Sequence, residues 1–177
     1  MPSLPPEEAS TSSTSNVPDS VSSPPPLRLM AYPRLLIAAA AVVAADQITK
    51  TLAVQTLSDG RQTDIIEGAL TLRLSFNSGG VFGVGQGLPA VFLVATLLVV
   101  VGILVFAGRL EDRRWLIPLG MVLGGGLGNV ADRIFRDYDG RVVDFIDLHV
   151  WPVFNIADMA IVTGVGFVLL FGFRAER

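Results

Sequence analysis

The run LPAVFLVATLLVVVGILVFA, from Leu88 to Ala107, decides the fold class. Its 20 residues carry no charge, and a helix of that length rises about 30 Å, the thickness of a hydrocarbon core. Working outward, three further apolar segments are found at about 35–54, 115–131 and 153–173. The pattern predicts a mainly α membrane protein with four transmembrane helices. Composition agrees: 51 % of the 177 residues are hydrophobic, more than a water-soluble domain of this size usually carries. The mean hydropathy is positive even though the first 33 residues are polar. Those residues, rich in Ser, Thr and Pro with a Pro24-Pro25-Pro26 run, lack the apolar surface that would offset the entropy of ordering. They are read as a disordered tail without the apolar centre of a secretory signal peptide, and 34–177 as one membrane domain.

The net charge is −3 with no basic block, which leaves nucleic-acid binding without support. The absence of cysteine excludes disulfides, thiol nucleophiles and cysteine-ligated metals. His149 is the single histidine, so a His-rich metal centre is excluded too. Arg109, Arg113 and Arg114 fall after the second apolar segment, Arg28 and Arg34 before the first, and Arg174 and Arg177 at the C-terminus. With four spans all three groups share one side, which the positive-inside rule makes cytoplasmic, together with both termini. The loops 55–87 and 132–152 then face outward. In the first, Leu70, Leu72, Leu74 and Phe76 alternate with Thr71, Arg73 and Ser75, the signature of a half-buried strand. A small β-sheet, with its β-region at about 62–85, is expected at the outer membrane face. Asp139-Gly140 in the second loop is a turn signal.

Polar residues in or beside membrane helices are costly and call for an explanation. Asp46 and Lys50 lie four apart on the first helix, Asn129, Asp132 and Arg133 end the third, Asp144 and Asp147 lie in the loop that follows, and Asn155 and Asp158 open the fourth helix. Four spans bring all of them to the outer leaflet. Two carboxylates sharing a low-dielectric site cannot both ionise cheaply, so one keeps a proton while the other activates water. That is the aspartic-protease strategy, and spacing leaves open which two aspartates form the pair. Blander readings stand beside it. Asp46 and Lys50 make an intrahelical salt bridge; Asp132, Arg133 and His149 are interfacial polar residues; Asp137, Asp139 and Asp147 are solvated. Gly124, Gly125, Gly126 and Gly128 form a helix-packing surface, and Trp115 and Trp151 mark opposite interfaces. Two other function classes are also compatible with the pattern. Asp132, Asp137, Asp139 and Asp144 could hold Mg²⁺ for lipid headgroup transfer, or the buried polar residues could line an ion path in a transporter or channel subunit.

Four segments taken in order narrow these choices. They are Asp46-Gln47-Ile48-Thr49-Lys50; Asn77-Ser78-Gly79-Gly80-Val81-Phe82-Gly83; Gly124 through Arg133; and the pair Val142-Val143-Asp144-Phe145 and Phe154-Asn155-Ile156-Ala157-Asp158. Over about residues 34–173 the chain resembles the lipoprotein signal peptidases, the bacterial signal peptidase II family. The resemblance implies an intramembrane aspartic endopeptidase of the bacterial inner membrane, with its active site toward the outer leaflet. It implies Asp144 and Asp158 as the catalytic dyad. Asn129, Arg133 and Asn155 match positions that line the site and hold substrate backbone, and Asp132 a supporting position. Asp46, Lys50, Asn77 and Gly79 match positions that shape the site or contact substrate. The implied substrates are prolipoproteins bearing a diacylglyceryl group, cleaved before the lipidated cysteine. The implied partners are these substrates and membrane lipids, the expected working form is a monomer, and no metal or other cofactor is implied. The chain departs from many family members at Gly80-Val81, where two alanines are common, and in the short connection from Asp144 to Asp158.

Overall fold

The computed structural model describes residues 33–79, 89–110 and 112–175. The tail, the glycine-rich stretch from Gly80 to Leu88 and the Gly80-Val81 departure lie outside the described residues. Along the chain run helix α1 (Pro33–Leu57), strands β1 (Gln62–Ile66) and β2 (Leu70–Asn77), helix α2 (Pro89–Ala107), a 3-10 turn (Arg113–Trp115), helix α3 (Leu116–Phe135), strand β3 (Val142–Asp147) and helix α4 (Ile156–Ala175). The fold is mainly helical with a small antiparallel sheet in the order β1-β2-β3.

The helices are apolar on the outside. Ile37, Ile48, Leu98, Val162 and Phe173 are all more than half exposed, as expected where the surroundings are hydrocarbon rather than water. Among the described residues, three helices are long and apolar enough to cross a membrane, at Pro33–Leu57, Ala90–Ala107 and Ile156–Phe173. The expectation of four is met only in part, because α3 is not among them. α3 has 20 residues, but five are glycines and its end carries Asn129, Asp132 and Arg133. The reason is its position: α3 packs against α1, α2 and α4 at once, so it needs small residues for close approach rather than apolar bulk for lipid.

The glycine run does what the sequence suggested. A Cβ on Gly124 would lie 2.6 Å from the Ala39 carbonyl oxygen, one on Gly128 2.6 Å from Asp46 Oδ2, and one on Gly125 2.5 Å from the Ala157 carbonyl oxygen. Two faces of α3 therefore meet the backbones of α1 and α4 with no side chain between them. Leu35 and Ala39 of α1, Val100, Ile103 and Ala107 of α2, and Leu116, Leu119, Val122 and Leu123 of α3 form the buried core below this seam.

β2 keeps the alternation read from its sequence only in part: Leu72 and Leu74 face the core, but Thr71 is buried and Phe76 is exposed. Leu72 and Leu74 pack on Ala53, Leu57 and Phe145, with Ile146 and Ile156 alongside, which seats the sheet on the end of α1. Asp139 and Gly140 both adopt positive φ, 52° and 73°, and turn the chain from α3 into β3. That strand was expected as loop. Nearly every residue in it is buried, because β2 pairs along its edge and α1 and α3 pack against it, so no alternation marks it in the sequence. α3 also runs four residues past the expected end at 131, and α4 begins only at Ile156, so Asn155 precedes the helix.

Gly128→Ala would push a methyl group into the Asp46 carboxylate. Overpacking of this kind costs about 1–3 kcal/mol, so a thermal melt of the purified protein in detergent is expected to show a clear drop in Tm. Gly102→Ala, where nothing lies within 4 Å, should leave Tm unchanged or slightly raised.

Candidate active site

Asp144 sits on β3 opposite Ser75, and Asn77 opposite Val142. Side chains of paired residues project to the same face, so this register brings Asn77 to Asp144. Asn77 Nδ2 donates to Asp144 Oδ2 at 2.9 Å, and Asn155 Nδ2 donates to Asp144 Oδ1 at 2.6 Å. The amide of Asn77 is oriented by the Gly79 N–H, which donates to its Oδ1 at 2.7 Å. That turn holds Gly79 at φ 109°, and a Cβ there would collide with the ring of Phe92. Glycine is thus required twice at this position.

Asp158 is held by a reciprocal cap at the start of α4. Its N–H donates to Asn155 Oδ1 at 2.9 Å, and the Asn155 N–H donates to Asp158 Oδ2 at 3.2 Å. This is the capping-box arrangement, with an asparagine at the cap and an aspartate three residues on. The other oxygen, Oδ1, accepts from Asn129 Nδ2 at 2.9 Å. Asn155 therefore joins both carboxylates: its backbone and Oδ1 fix Asp158, and its Nδ2 fixes Asp144.

Beneath these two lies a second pair of aspartates with a lysine between them. Lys50 Nζ is 2.8 Å from Asp46 Oδ2 and 2.9 Å from Asp132 Oδ2, and all three side chains are fully buried. Each carboxylate also accepts one backbone N–H. Asp46 Oδ1 accepts the N–H of Ala157 at 3.0 Å, and Asp132 Oδ2 accepts the N–H of Val143 at 3.0 Å. Each buried aspartate thus grips the residue just before one of the upper carboxylates. Lys50 also donates to Asn129 Oδ1 at 2.9 Å, which turns the amide of Asn129 toward Asp158. The sequence pointed to a plain i,i+4 salt bridge for Asp46 and Lys50, and that bridge is present. Its wider bonding to α3, β3 and α4 was not legible.

The two upper carboxylates differ in setting. Asp144 is 1 % exposed, while Asp158 is half-buried. Burial first, and then the charge of Asp158, raise the Asp144 carboxyl from 3.8 to about 7, against hydrogen bonds from Asn77 and Asn155 that lower it. Arg133 Nη1 donates to the Asn129 carbonyl oxygen at 3.2 Å. Its Nε is buried and has no hydrogen-bond partner among the described residues. Arg133 borders a cavity of ≈ 200 Å³ with Ala90, Leu93 and Gly140.

All of the residues singled out from the sequence belong to one connected set: Gly79, Asn77, Asp144, Asn155, Asp158, Asn129, Arg133, Lys50, Asp46 and Asp132. Two members were missed. Gln47 donates to Asp132 Oδ1 at 2.9 Å and to the Gly128 carbonyl oxygen at 3.1 Å. Arg136 donates to Asp132 Oδ1 at 3.0 Å and to Gln47 Oε1 at 3.2 Å. The i,i+4 spacing of Asp132 and Arg136 was the available signal. Asp147, read as solvated, is instead 6 % exposed and paired with Arg73. That hydrogen bond, and the one from the His149 N–H, lower its carboxyl below the usual range. Asp137 and Asp139 are exposed as expected. The acids that a Mg²⁺ site would need are not gathered: Asp132 is spent on Lys50 and Arg136, and Asp139 on Arg141. Among the described residues, no group of three or more His, Cys, Asp or Glu is placed to hold a metal ion.

Comparison with known proteins agrees with this architecture. Residues 38–174 match the sequence profile of the Peptidase_A8 family, described as signal peptidase (SPase) II. The chain is similar to the lipoprotein signal peptidase of Mycobacterium leprae, 42 % identical over 156 residues, covering 84 % of this chain and 76 % of that protein. It is also similar to that of Rhodococcus jostii, 39 % identical over 151 residues, covering 82 % of this chain and 76 % of that protein. Among solved structures it resembles a bacterial membrane enzyme determined by the in meso method at 2.3 Å resolution, with a TM-score of 0.71 and 26 % identity. That match covers 80 % of this chain and 88 % of the other. The fold and the relatives together define a membrane peptidase. The chain belongs to the signal peptidase II family, whose members act in lipoprotein maturation.

Lys50→Met would leave Asp46 and Asp132 buried without their shared cation. Removing one partner from a buried ionic group costs about 3–5 kcal/mol, a loss that thermal melting in detergent should register. The double variant Asp46→Asn/Lys50→Met should recover part of it, because one uncompensated charge goes with the lysine.

Proposed function

We propose that this chain removes the signal peptide from diacylglyceryl-modified prolipoproteins, cleaving before the lipidated cysteine, with Asp144 and Asp158 as the catalytic pair. The observation that carries the assignment is the joining of these two carboxylates through Asn155, with one of them buried and held near neutrality. Asp46 and Asp132 are already paired with Lys50 and Arg136, so their carboxylates are committed to holding the structure.

In this reading the pair shares one proton at neutral pH and titrates as a unit. Burial, together with the charge of Asp158, favours the proton on Asp144. Asp158, stabilised as a carboxylate by donors from Asn129 and the Asn155 backbone, takes a proton from water as its oxygen attacks the scissile carbonyl carbon. Asp144 protonates the carbonyl oxygen. As the tetrahedral intermediate collapses, the C–N bond breaks, the leaving amine takes up the proton gained by Asp158, and a hydroxyl of the gem-diol returns a proton to Asp144, which restores the pair. Arg133, whose Nη1 is tied to the Asn129 carbonyl oxygen, lines the site in this reading.

The same reading makes α3 the fourth span, shielded from lipid by α1, α2 and α4, with both termini cytoplasmic and the pair toward the outer leaflet of the inner membrane. The arginines after α2 and at the chain ends support that orientation. The pair is complete within one chain, which supports a working monomer.

Asp144→Asn and Asp158→Asn are each expected to lower cleavage of a lipidated precursor at least about a thousandfold, while the protein still inserts and melts cooperatively. Wild-type turnover by either variant would remove the pair from the mechanism. Turnover by the unmodified enzyme should also decline as pH rises above about 7, where Asp144 ionises and the shared proton is lost. The sign for stability follows from the same shift. The folded-state value lies above 3.8, so holding Asp144 charged costs stability progressively from about pH 4 to about pH 7. Asp144→Asn should therefore raise Tm at pH 8 by more than it does at pH 5.

A further inference from the structure

Arg136 stands where α3 gives way to the turn before β3, and it makes more bonds than a helix end requires. Its backbone is extended, with φ −94° and ψ 139°, and its N–H donates to the Asp132 carbonyl oxygen at 3.1 Å. The side chain is 18 % exposed. Its Nε donates to Asp132 Oδ1 at 3.0 Å. Its Nη2 donates to Thr51 Oγ1 at 3.1 Å, to Gln47 Oε1 at 3.2 Å and to the Gln47 carbonyl oxygen at 3.4 Å. Thr51 gives its own hydroxyl proton to the Gln47 carbonyl oxygen at 2.7 Å, so its oxygen can accept from Arg136. Gln47 in turn donates to Asp132 Oδ1 at 2.9 Å. One guanidinium thus ties the end of α3 to a turn of α1, with Asp132 between them. The mechanism above makes no use of it.

Charge matters here as much as bonding. Asp46, Asp132 and Lys50 are fully buried, and one ammonium cannot balance two carboxylates. Arg136 supplies the missing cation. Asp132 then leads directly to the proposed pair. Its Oδ2 accepts the N–H of Val143 at 3.0 Å, and Val143 is the residue before Asp144. The position of the Asp132 carboxylate is therefore passed to Asp144 across one peptide unit. The charges that act on Asp144 come from Asp158 of α4, Lys50 of α1 and Arg133 of α3. The Asp46 and Asp132 carboxylates stand behind Lys50, and β2 contributes the uncharged amide of Asn77.

We propose that Arg136 is a positioning residue for the Asp144 carboxyl and acts on it through Asp132. The inference rests on the peptidase reading above. With Arg136 present, the Asp132 carboxylate accepts from Lys50, Gln47, Arg136 and the Val143 N–H. It cannot swing, and β3 stays where Asp144 meets Asn77 and Asn155. Without Arg136, Oδ1 keeps only Gln47, and one negative charge is left uncompensated below the pair. The looser β3 slows the chemical step, because the reacting groups lose alignment. The added negative charge holds the shared proton more tightly and moves its loss to higher pH. The side-chain bonds of Arg136 run to Asp132, Gln47 and Thr51 rather than to Asp144 or Asp158, so substrate binding is left nearly as it was.

The test measures kcat and KM across pH for the full-length enzyme in detergent-lipid micelles, with a lipidated precursor peptide as substrate. Arg136→Met is expected to lower kcat by about 10- to 100-fold, the scale of a displaced catalytic group, with KM within about twofold of wild type. The alkaline limb of its kcat profile should lie about half to one pH unit above that of wild type, the scale on which one nearby charge moves a carboxyl. Arg136→Lys restores the charge without the fork. It should return the limb to the wild-type position and recover part of kcat. Arg113→Met removes the same charge just before the opposite end of α3 and should match wild type in both respects. A wild-type kcat for Arg136→Met would overturn the proposal. So would an unmoved alkaline limb, the result of a purely structural role. Should Arg136→Met fail to fold, Arg136→Gln removes the charge, keeps a hydrogen-bonding head and makes the same comparison. Failure of the wild-type enzyme to cleave the precursor would refute the peptidase reading itself, a result distinguishable from any behaviour of the variants.

Discussion

Everything at the polar end of this molecule depends on one buried ammonium group held between two carboxylates. Lys50 alone would be prohibitively costly in a hydrocarbon-depth seam, and so would Asp46 or Asp132. Together they neutralise one another and leave lone pairs for the N–H groups of Ala157 and Val143. Those two bonds fix where α4 starts and where β3 lies, and thus the separation of Asp144 and Asp158. The constraint reaches back to Gly128, since any side chain there would occupy the space of the Asp46 carboxylate. Close packing, charge pairing and site geometry are in this way one requirement seen at three scales.

Much of the helical architecture could be read directly. A charge-free run of hydrocarbon-spanning length is hard to mistake, and the Leu70 to Phe76 alternation identified β2 from its pleat. β3 escaped because burial on both faces removes the alternation that marks a strand. α3 was located, but its character was not: a helix surrounded by other helices is under no pressure to be apolar, and hydropathy is a measure of lipid contact. The site was legible as a collection and not as an arrangement. Spacing along helices placed the aspartates at one end of the bundle. It could not tell Asp132 from Asp144, because what separates them is the partner each has found, Lys50 and Arg136 for one and two asparagine amides for the other. Nor could it anticipate Gln47, whose bonds to Asp132, Gly128 and Arg136 are made across the α1–α3 seam.

Asn155 shows how much can rest on a single uncharged residue. As a helix cap it would be ordinary. Here its side-chain oxygen serves the cap while its amide nitrogen reaches Asp144, so helix initiation and the spacing of the proposed pair cannot be altered independently. The same economy appears in Asn77, which closes a turn through its oxygen and holds Asp144 through its nitrogen.

The pairing of charges within each helix has a consequence for how the protein is made. Asp46 has Lys50 one turn away on α1, and Asp132 has Arg136 one turn away on α3. Each of these ion pairs is electrically neutral before the helices have met, so neither helix has to carry those charges into the bilayer uncompensated. Only when α1 and α3 come together along the glycine seam does Lys50 take Asp132 as a second partner. The network that shapes the site therefore requires the assembled helices, and insertion of the separate helices does not by itself build it.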